Sequence, residues 1–505
     1  MKKLLNQFRS RDAGILLLLG AVTVVIHGLT NHQYGFHRDE LATLDDARHL
    51  AWGYVAYPPI TPFIARLALT IFGPSLVGLR FFSSLAIAGA MVFTGLMARE
   101  FGGSPRAQAI AAIATGIAPV SLISGSLFQY VAFDYLWWVL TAYLMIRLLH
   151  TDDPGWGVAI GTVIGLGMMT KYTMGLFVAG IAIGIVVTTS RRNLRSPWLW
   201  AGAALSLLLF LPNLMWQAQY HFISLDFLKA IHARDVRIGR TTHNLLEQLF
   251  ICANVFTIGI WTRGLWSYFF TDDARRYRVL GWMYVVPLAL LLVTRGRSYY
   301  LAPAYPMLFA AGTVAWERSL TQLPIDRARL RVTMRWGSLA IGAIAFAAVM
   351  LPIAPVNSRW WNITNKLHDN FREEIGWTEL VQTVAGIYQS LPTEERAATG
   401  ILAGNYGEAG AIDLYGPAHG LPQAISGINT YWLRGYGNPP PETIIALGRS
   451  EEGLKRLFAT CRLVGHITNS YGVENEETRD HPDIFVCSSP RESWDTLWQK
   501  LRSFG

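Results

Sequence analysis

Long apolar runs, each close to the width of a bilayer, dominate the first 355 positions of the chain. Crossing a bilayer as a helix takes about 20 mostly apolar residues. Stretches near that length are Gly14 to Thr30, Leu79 to Ala98, Ala107 to Ser126, Val131 to Leu149, Pro197 to Met215, Leu249 to Phe270, Val279 to Thr294, Tyr299 to Trp316 and Trp336 to Ile353. The run from Trp156 to Thr188 is too long for one span and is broken by Lys171, so it reads as two helices meeting there. About eleven spans follow, with Arg263 as an awkward charge inside the eighth. From Pro355 onward the pattern changes to Gly, Pro, Asn and Glu without a spanning stretch. There Trp377 to Leu391 has helical periodicity, while Ala398 to Ala403, Arg462 to Ile467 and Asp483 to Cys487 read as short strands. The expected fold class is an α-helical multi-pass membrane protein, residues 1–354 with a long first loop at 31–78, followed by a small α/β domain at 355–505.

Composition and charge agree with a bilayer as solvent. Hydrophobic residues make up 52% of the chain and charged residues only 15%, with a mean hydropathy of +0.28. A soluble domain carries about 25% charged residues. Disorder, a collagen repeat and a small disulfide scaffold are excluded on the same grounds, since only three cysteines are present. The net charge of +9 invites a nucleic-acid partner, but most of it orients the chain. Eighteen Lys and Arg, from Lys2, Lys3, Arg9 and Arg11 through Arg147 to Arg335, fall at the amino terminus and in alternate loops. The positive-inside rule makes that side cytoplasmic and puts the first loop and the tail outside. The first span lacks a cleavage site and is expected to stay as an anchor in the inner (cytoplasmic) membrane.

The candidate chemistry lies in the outer loops. The first is far too long for a simple connector and opens His37-Arg38-Asp39-Glu40. It continues through amphipathic pieces, Ala47 to Trp52 and Pro62 to Phe72, around Tyr57-Pro58-Pro59, and these suit the membrane interface. Asp39-Glu40 is either a solvated helix start or a pair of working carboxylates. Asp134 interrupts an apolar run near the outer end of its helix, where it either snorkels to the surface or serves a function. Lys171 in Thr170-Lys171-Tyr172 sits at an outer turn, as an interface anchor or a functional cation. Two more basic groups lie outside, His232-Ala233-Arg234-Asp235-Val236-Arg237-Ile238-Gly239-Arg240, where Arg240 reads as a solvated face, and Arg295-Gly296-Arg297-Ser298-Tyr299-Tyr300, where Arg297 suits a phosphate. Scattered acids and bases on one membrane face fit a group transfer: a carboxylate takes a proton from a hydroxyl while Arg or Lys stabilises charge on a departing phosphate.

Taken in order, Arg38-Asp39-Glu40, Trp52-Gly53-Tyr54 with Tyr57-Pro58-Pro59, Asp134, Thr170-Lys171-Tyr172 and Arg297 to Pro306 resemble one group. It is the bacterial polyprenyl-phosphate-sugar-dependent glycosyltransferases of GT-C fold, which includes the lipid A aminoarabinose transferases and is related to protein O-mannosyltransferases. The segment Asn405-Tyr406-Gly407-Glu408-Ala409-Gly410-Ala411-Ile412-Asp413 resembles the outer domain of many members. The resemblance implies an inverting displacement on a polyprenyl-phosphate sugar donor, with a lipid, glycan or protein acceptor. It assigns Asp39, Glu40 and Asp134 to catalysis and Arg38, Lys171, Arg234, Arg297 and Tyr300 to the donor phosphate. His37, Tyr57, His232 and Tyr299 are then the expected acceptor or sugar contacts. Those aminoarabinose transferases carry an acidic-basic pair before the first-loop proline, whereas this chain has Ala56-Tyr57, which puts the aminoarabinose substrate in question.

Cofactor signals are few. No nucleotide-binding motif is present; Gly161 to Gly167 lies in an apolar helix, where packing explains it better. No tight His, Cys or carboxylate spacing marks a metal, which leaves a divalent cation open. Cys461 and Cys487 flank expected strands and are either a disulfide or two free thiols, and Asn362-Ile363-Thr364 is a chance-level glycosylation match. Two other classes compete with the enzyme. A transporter or lipid flippase needs ionisable residues at midplane and usually a repeat. An assembly subunit working through its tail predicts dispensable membrane acids.

Overall fold

The computed structural model describes residues 11–505, so the basic residues Lys2, Lys3 and Arg9 lie outside the described residues. Among those described, six helices are long and apolar enough to cross a membrane: Asp12–Thr30, Leu76–Glu100, Tyr130–Thr151, Pro197–Gln219, Arg275–Val293 and Ile325–Met350. Three further pairs pass the same test but bend sharply, Pro105–Gly116 with Pro119–Ser126, Met174–Val187 with Thr189–Arg195, and Asn244–Cys252 with Val255–Phe270. The count is therefore six to nine, against the eleven expected. The difference has local causes. Pro119 removes a backbone donor and breaks the third run, and the helix Trp156–Met168 is only 13 residues long before the turn at Lys171. The tenth run starts as a 3₁₀ segment, Ser298–Ala304, so its α-helix covers only Tyr305–Leu320.

The helices of this membrane unit meet through small residues. A Cβ on Gly161 would stand 2.0 Å from the carbonyl oxygen of Gly202, and one on Gly264 would stand 2.1 Å from that of Leu308. In lipid, where no hydrophobic drive joins helices, such close backbone approach supplies the packing. The glycines near Gly161 thus serve helix contact, as the sequence suggests. Helices 197–219 and 325–350 present their apolar side chains outward, with Leu207, Leu208, Met215 and Ile344 all exposed. Patches of that size are tolerated by lipid and not by water.

The chain divides into two compact units. Of the described residues, one comprises 11–31, 77–219 and 232–351; the other comprises 32–76, 220–231 and 352–505. The chain passes from the first unit to the second at Leu351 and Pro352, and the first loop, residues 32–76, groups with the tail. In that second unit a five-stranded sheet runs in the order β2-β1-β3-β5-β4. The strands are β1 Thr399–Leu402, β2 Ala424–Ile425, β3 Thr443–Ala446, β4 Phe458–His466 and β5 Asp483–Pro490. β2, β1 and β3 are parallel, and β5 is antiparallel to both β3 and β4. Leu402, Ile444, Phe458, Phe485, Trp494 and Trp498 form its main core. Cys461 and Cys487 face each other across β4 and β5 and are joined as a disulfide.

Candidate functional site

In the membrane unit, Asp134 lies in the second turn of its helix, at the end rather than the middle of the span. Its Oδ1 accepts from the Trp138 indole at 3.1 Å and its Oδ2 from the Thr173 hydroxyl at 2.9 Å. Thr173 follows Lys171 in the turn between two helices, and the Trp137 indole fixes the same turn by donating to Thr170 Oγ1 at 2.9 Å. One carboxylate is thereby tied to the turn that carries one cation.

The ammonium of Lys171 is ringed by phenols. Its Nζ stands 4.2 Å from the centroid of Tyr300, 4.7 Å from Tyr130 and 5.0 Å from Tyr299. Ring faces attract a cation, more strongly once water is removed. Arg297 precedes the 3₁₀ turn that supplies two of those rings, and its Nη1 donates to the Tyr299 hydroxyl at 3.4 Å. Its Nε donates to Asp235 Oδ2 at 2.5 Å, and Asp235 is buried. Lys171 and Arg297 are thus arranged about one tyrosine pair, each with an acid to steady it. Two cations near a shared aromatic wall can take a phosphate, Arg through its planar fork and Lys as a point charge.

Sequence reasoning missed Asp235. Its neighbours Arg234 and Arg237 masked it as part of a charged loop, although loss of positive-inside bias there was a usable signal. Arg234 is half-buried, with Nε 3.7 Å from Asp235 Oδ1, while His232 is exposed. The sequence also passed over Arg80, which is fully buried at a helix start and donates to the Asn31 carbonyl at 3.1 Å.

The other expected residues belong to the loop–tail unit. His37 caps the helix Arg38–Arg48: its Nδ1 accepts from the Asp39 amide, and Glu40 Oε2 accepts from the His37 amide at 2.8 Å. That reciprocal capping box sets the helix start. It also turns Arg38 and Glu40 inward, so that both are buried, and leaves Asp39 with 41% of its side chain exposed. The charged opening of the loop is therefore a packed helix and not a solvated turn. Arg38 pairs with Glu476, its Nη2 at 3.0 Å from Oε1, and stacks 4.8 Å over Tyr406. Tyr57 donates to Asp46 Oδ2 at 2.6 Å. Burial pushes the Tyr406 phenol up, Arg38 opposes that shift, and a hydrogen bond to Asp39 adds to it. Of the adjacent pair Asp39 and Glu40, then, Asp39 is the one with a route to solvent, and Tyr406 is a neighbour that the sequence had placed only in a family-like segment. Among the described residues no group of three or more His, Cys, Asp or Glu is placed to hold a metal ion.

Residues 56–216 match the family model described as dolichyl-phosphate-mannose-protein mannosyltransferase. No curated protein matches the chain in sequence. In structure the chain is similar to ArnT from Cupriavidus metallidurans bound to undecaprenyl phosphate, with TM-score 0.58 and 14% identity over 94% of this chain and 98% of that one. The apo state of that ArnT matches over the same shares at TM-score 0.56 and 14% identity. The Archaeoglobus fulgidus oligosaccharyltransferase in its apo form matches at TM-score 0.51 and 12% identity, over 82% of this chain and 65% of that one. The protein therefore has the fold of the GT-C glycosyltransferases, and a third of it, residues 56–216, carries the mannosyltransferase pattern.

Proposed function

We propose that the protein is an inverting glycosyltransferase that moves a sugar from a polyprenyl-phosphate donor to an acceptor hydroxyl at the outer face of the cytoplasmic membrane. The observation that carries this reading is the pair of cations, Lys171 and Arg297, set about Tyr299 and Tyr300 in a GT-C membrane unit. The acceptor oxygen attacks the anomeric carbon from the side opposite the phosphate. As that bond forms, the bond from the anomeric carbon to the phosphate oxygen breaks, and the phosphate keeps the electron pair. Lys171 and Arg297, with Tyr300 beside them, stabilise the charge it gains. Asp39 takes the acceptor proton as general base. Asp134, held by Trp138 and Thr173, keeps the Lys171 turn in place and orients the sugar.

Three further observations support the reading. The lipid bound to a fold relative, undecaprenyl phosphate, is a polyprenyl phosphate, the carrier such a donor would release. The Cys461–Cys487 disulfide fits an oxidising compartment for the tail, as an outward-facing domain would have. Asp134 near a helix end, not at its centre, favours surface chemistry over a transport path. The test is turnover of a radiolabelled polyprenyl-phosphate sugar by membranes holding wild type or Asp39→Asn. Loss of transfer by about a hundredfold or more with normal folding is expected; wild-type turnover in the variant would remove Asp39 from the mechanism.

A further inference from the structure

The tail's own contribution is written in its contacts with the helix that bears Asp39. The helix Tyr406–Tyr415 packs against Arg38–Arg48 through two glycines three residues apart, which share a face. A Cβ on Gly410 would stand 2.6 Å from the carbonyl carbon of Leu41, and one on Gly407 would stand 2.9 Å from Cβ of Arg38. A side chain at either position would force one of the two helices to shift, and one at Gly407 would also press on the Trp377 ring at 2.7 Å. This seat lies in the segment Asn405 to Asp413, where Asn405 and Glu408 form a capping box that fixes the start of the seating helix.

Both ends of the seated helix are also clamped by tail residues. At its first turn Arg38 pairs with Glu476 and lies over Tyr406, whose hydroxyl hydrogen-bonds Asp39. At its last turns Arg434 reaches Asp45 and Asp46, the latter at 2.5 Å, while its guanidinium lies 4.5 Å over Tyr431. Arg48 Nη1 donates to the Asp413 carbonyl at 2.6 Å, and the Tyr57 hydroxyl bonds Asp46 from the loop itself. Asp45 and Asp46 are buried, so removing Arg434 leaves two carboxylates without their cation.

We infer that the tail domain is a positioning element of the transfer reaction: Gly407 and Gly410 seat the helix Arg38–Arg48, Arg434 clamps its far end, and Tyr406 fixes the carboxylate of Asp39. This rests on the reading of Asp39 as the base. A base displaced by about 1 Å loses on the order of a hundredfold in rate, so the expected signature is in kcat. Tyr406→Phe removes one hydroxyl and keeps the ring under Arg38. Gly410→Val and Arg434→Gln disturb the seat and the clamp, and Arg434→Lys keeps the charge.

The experiment measures transfer from a polyprenyl-phosphate sugar by the full chain in membranes, together with amide hydrogen exchange over residues 38–48. Tyr406→Phe, Gly410→Val and Arg434→Gln should each lower kcat about tenfold to a hundredfold with donor KM changed by less than about threefold. Gly410→Val and Arg434→Gln should also speed exchange in 38–48, and Arg434→Lys should recover part of the kcat. Asp39→Asn separates the two claims. If that variant is inactive while the three others keep wild-type kcat, the positioning inference is overturned and the base assignment stands. If Asp39→Asn turns over like wild type, the base assignment itself is overturned.

Discussion

At Arg297 the chemistry depends on a partner that is nearly invisible in the sequence. Asp235 is buried and takes the guanidinium's Nε, which leaves the Nη edge to face other groups. Arg297→Lys should therefore cut transfer by about a hundredfold, because an ammonium keeps the charge and loses the fork; single-turnover assays with saturating donor measure it. Asp235→Ala leaves the part-buried Arg297 guanidinium without its acid and should destabilise the fold, and a lower melting temperature in detergent checks it. Glu408 gives a prediction of another kind. Burial first, then the charge of Glu477, pushes its carboxyl up to about 8 from an ordinary 4.5. A group held protonated in the folded state adds stability that is whole below about 4.5 and is lost as pH rises through about 8. The melting temperature of the loop–tail unit should fall by several degrees over that window, and Glu408→Gln should flatten the slope.

Elements divide into those whose residues announce them and those that need a partner to be seen. The span Tyr130–Thr151 and the turn at Lys171 follow from apolar length and one interrupting charge. Helix Trp377–Ser390 and strands β1, β4 and β5 follow from their periodicity. β3 escaped because Thr443-Ile444-Ile445-Ala446 is a four-residue run, buried on both faces and therefore without alternation. Helix Arg38–Arg48 was legible as a start and not as a packed element, since its carboxylates look solvated until Arg434 and Glu476 are set beside it. The helix pair 156–168 and 197–219 makes the element-scale prediction. Gly161→Leu drives a side chain into the Gly202 backbone and should separate the pair, which a drop in melting temperature with loss of transfer would report.

For the whole molecule, the apolar pattern and the ordered set from Arg38 to Pro306 were enough to indicate a polytopic GT-C protein with an α/β tail. The grouping of the first loop with that tail was not readable, because sequence distance hides a contact between residues 41 and 410. Side of the membrane is a prediction at this scale. With intact cells, a membrane-impermeant thiol reagent should label Cys461 and Cys487 only after reduction of their disulfide, and labelling confined to broken cells would reverse the proposed orientation.

The most direct test of the account is made on membranes with and without the protein, given a panel of radiolabelled polyprenyl-phosphate sugars. The account predicts transfer of label from one of these donors to an envelope acceptor, release of the polyprenyl phosphate, and no transfer with Asp39→Asn or with Lys171→Ala. Donor lipid that crosses the bilayer with its sugar still attached, at the same rate in wild type and both variants, would contradict it.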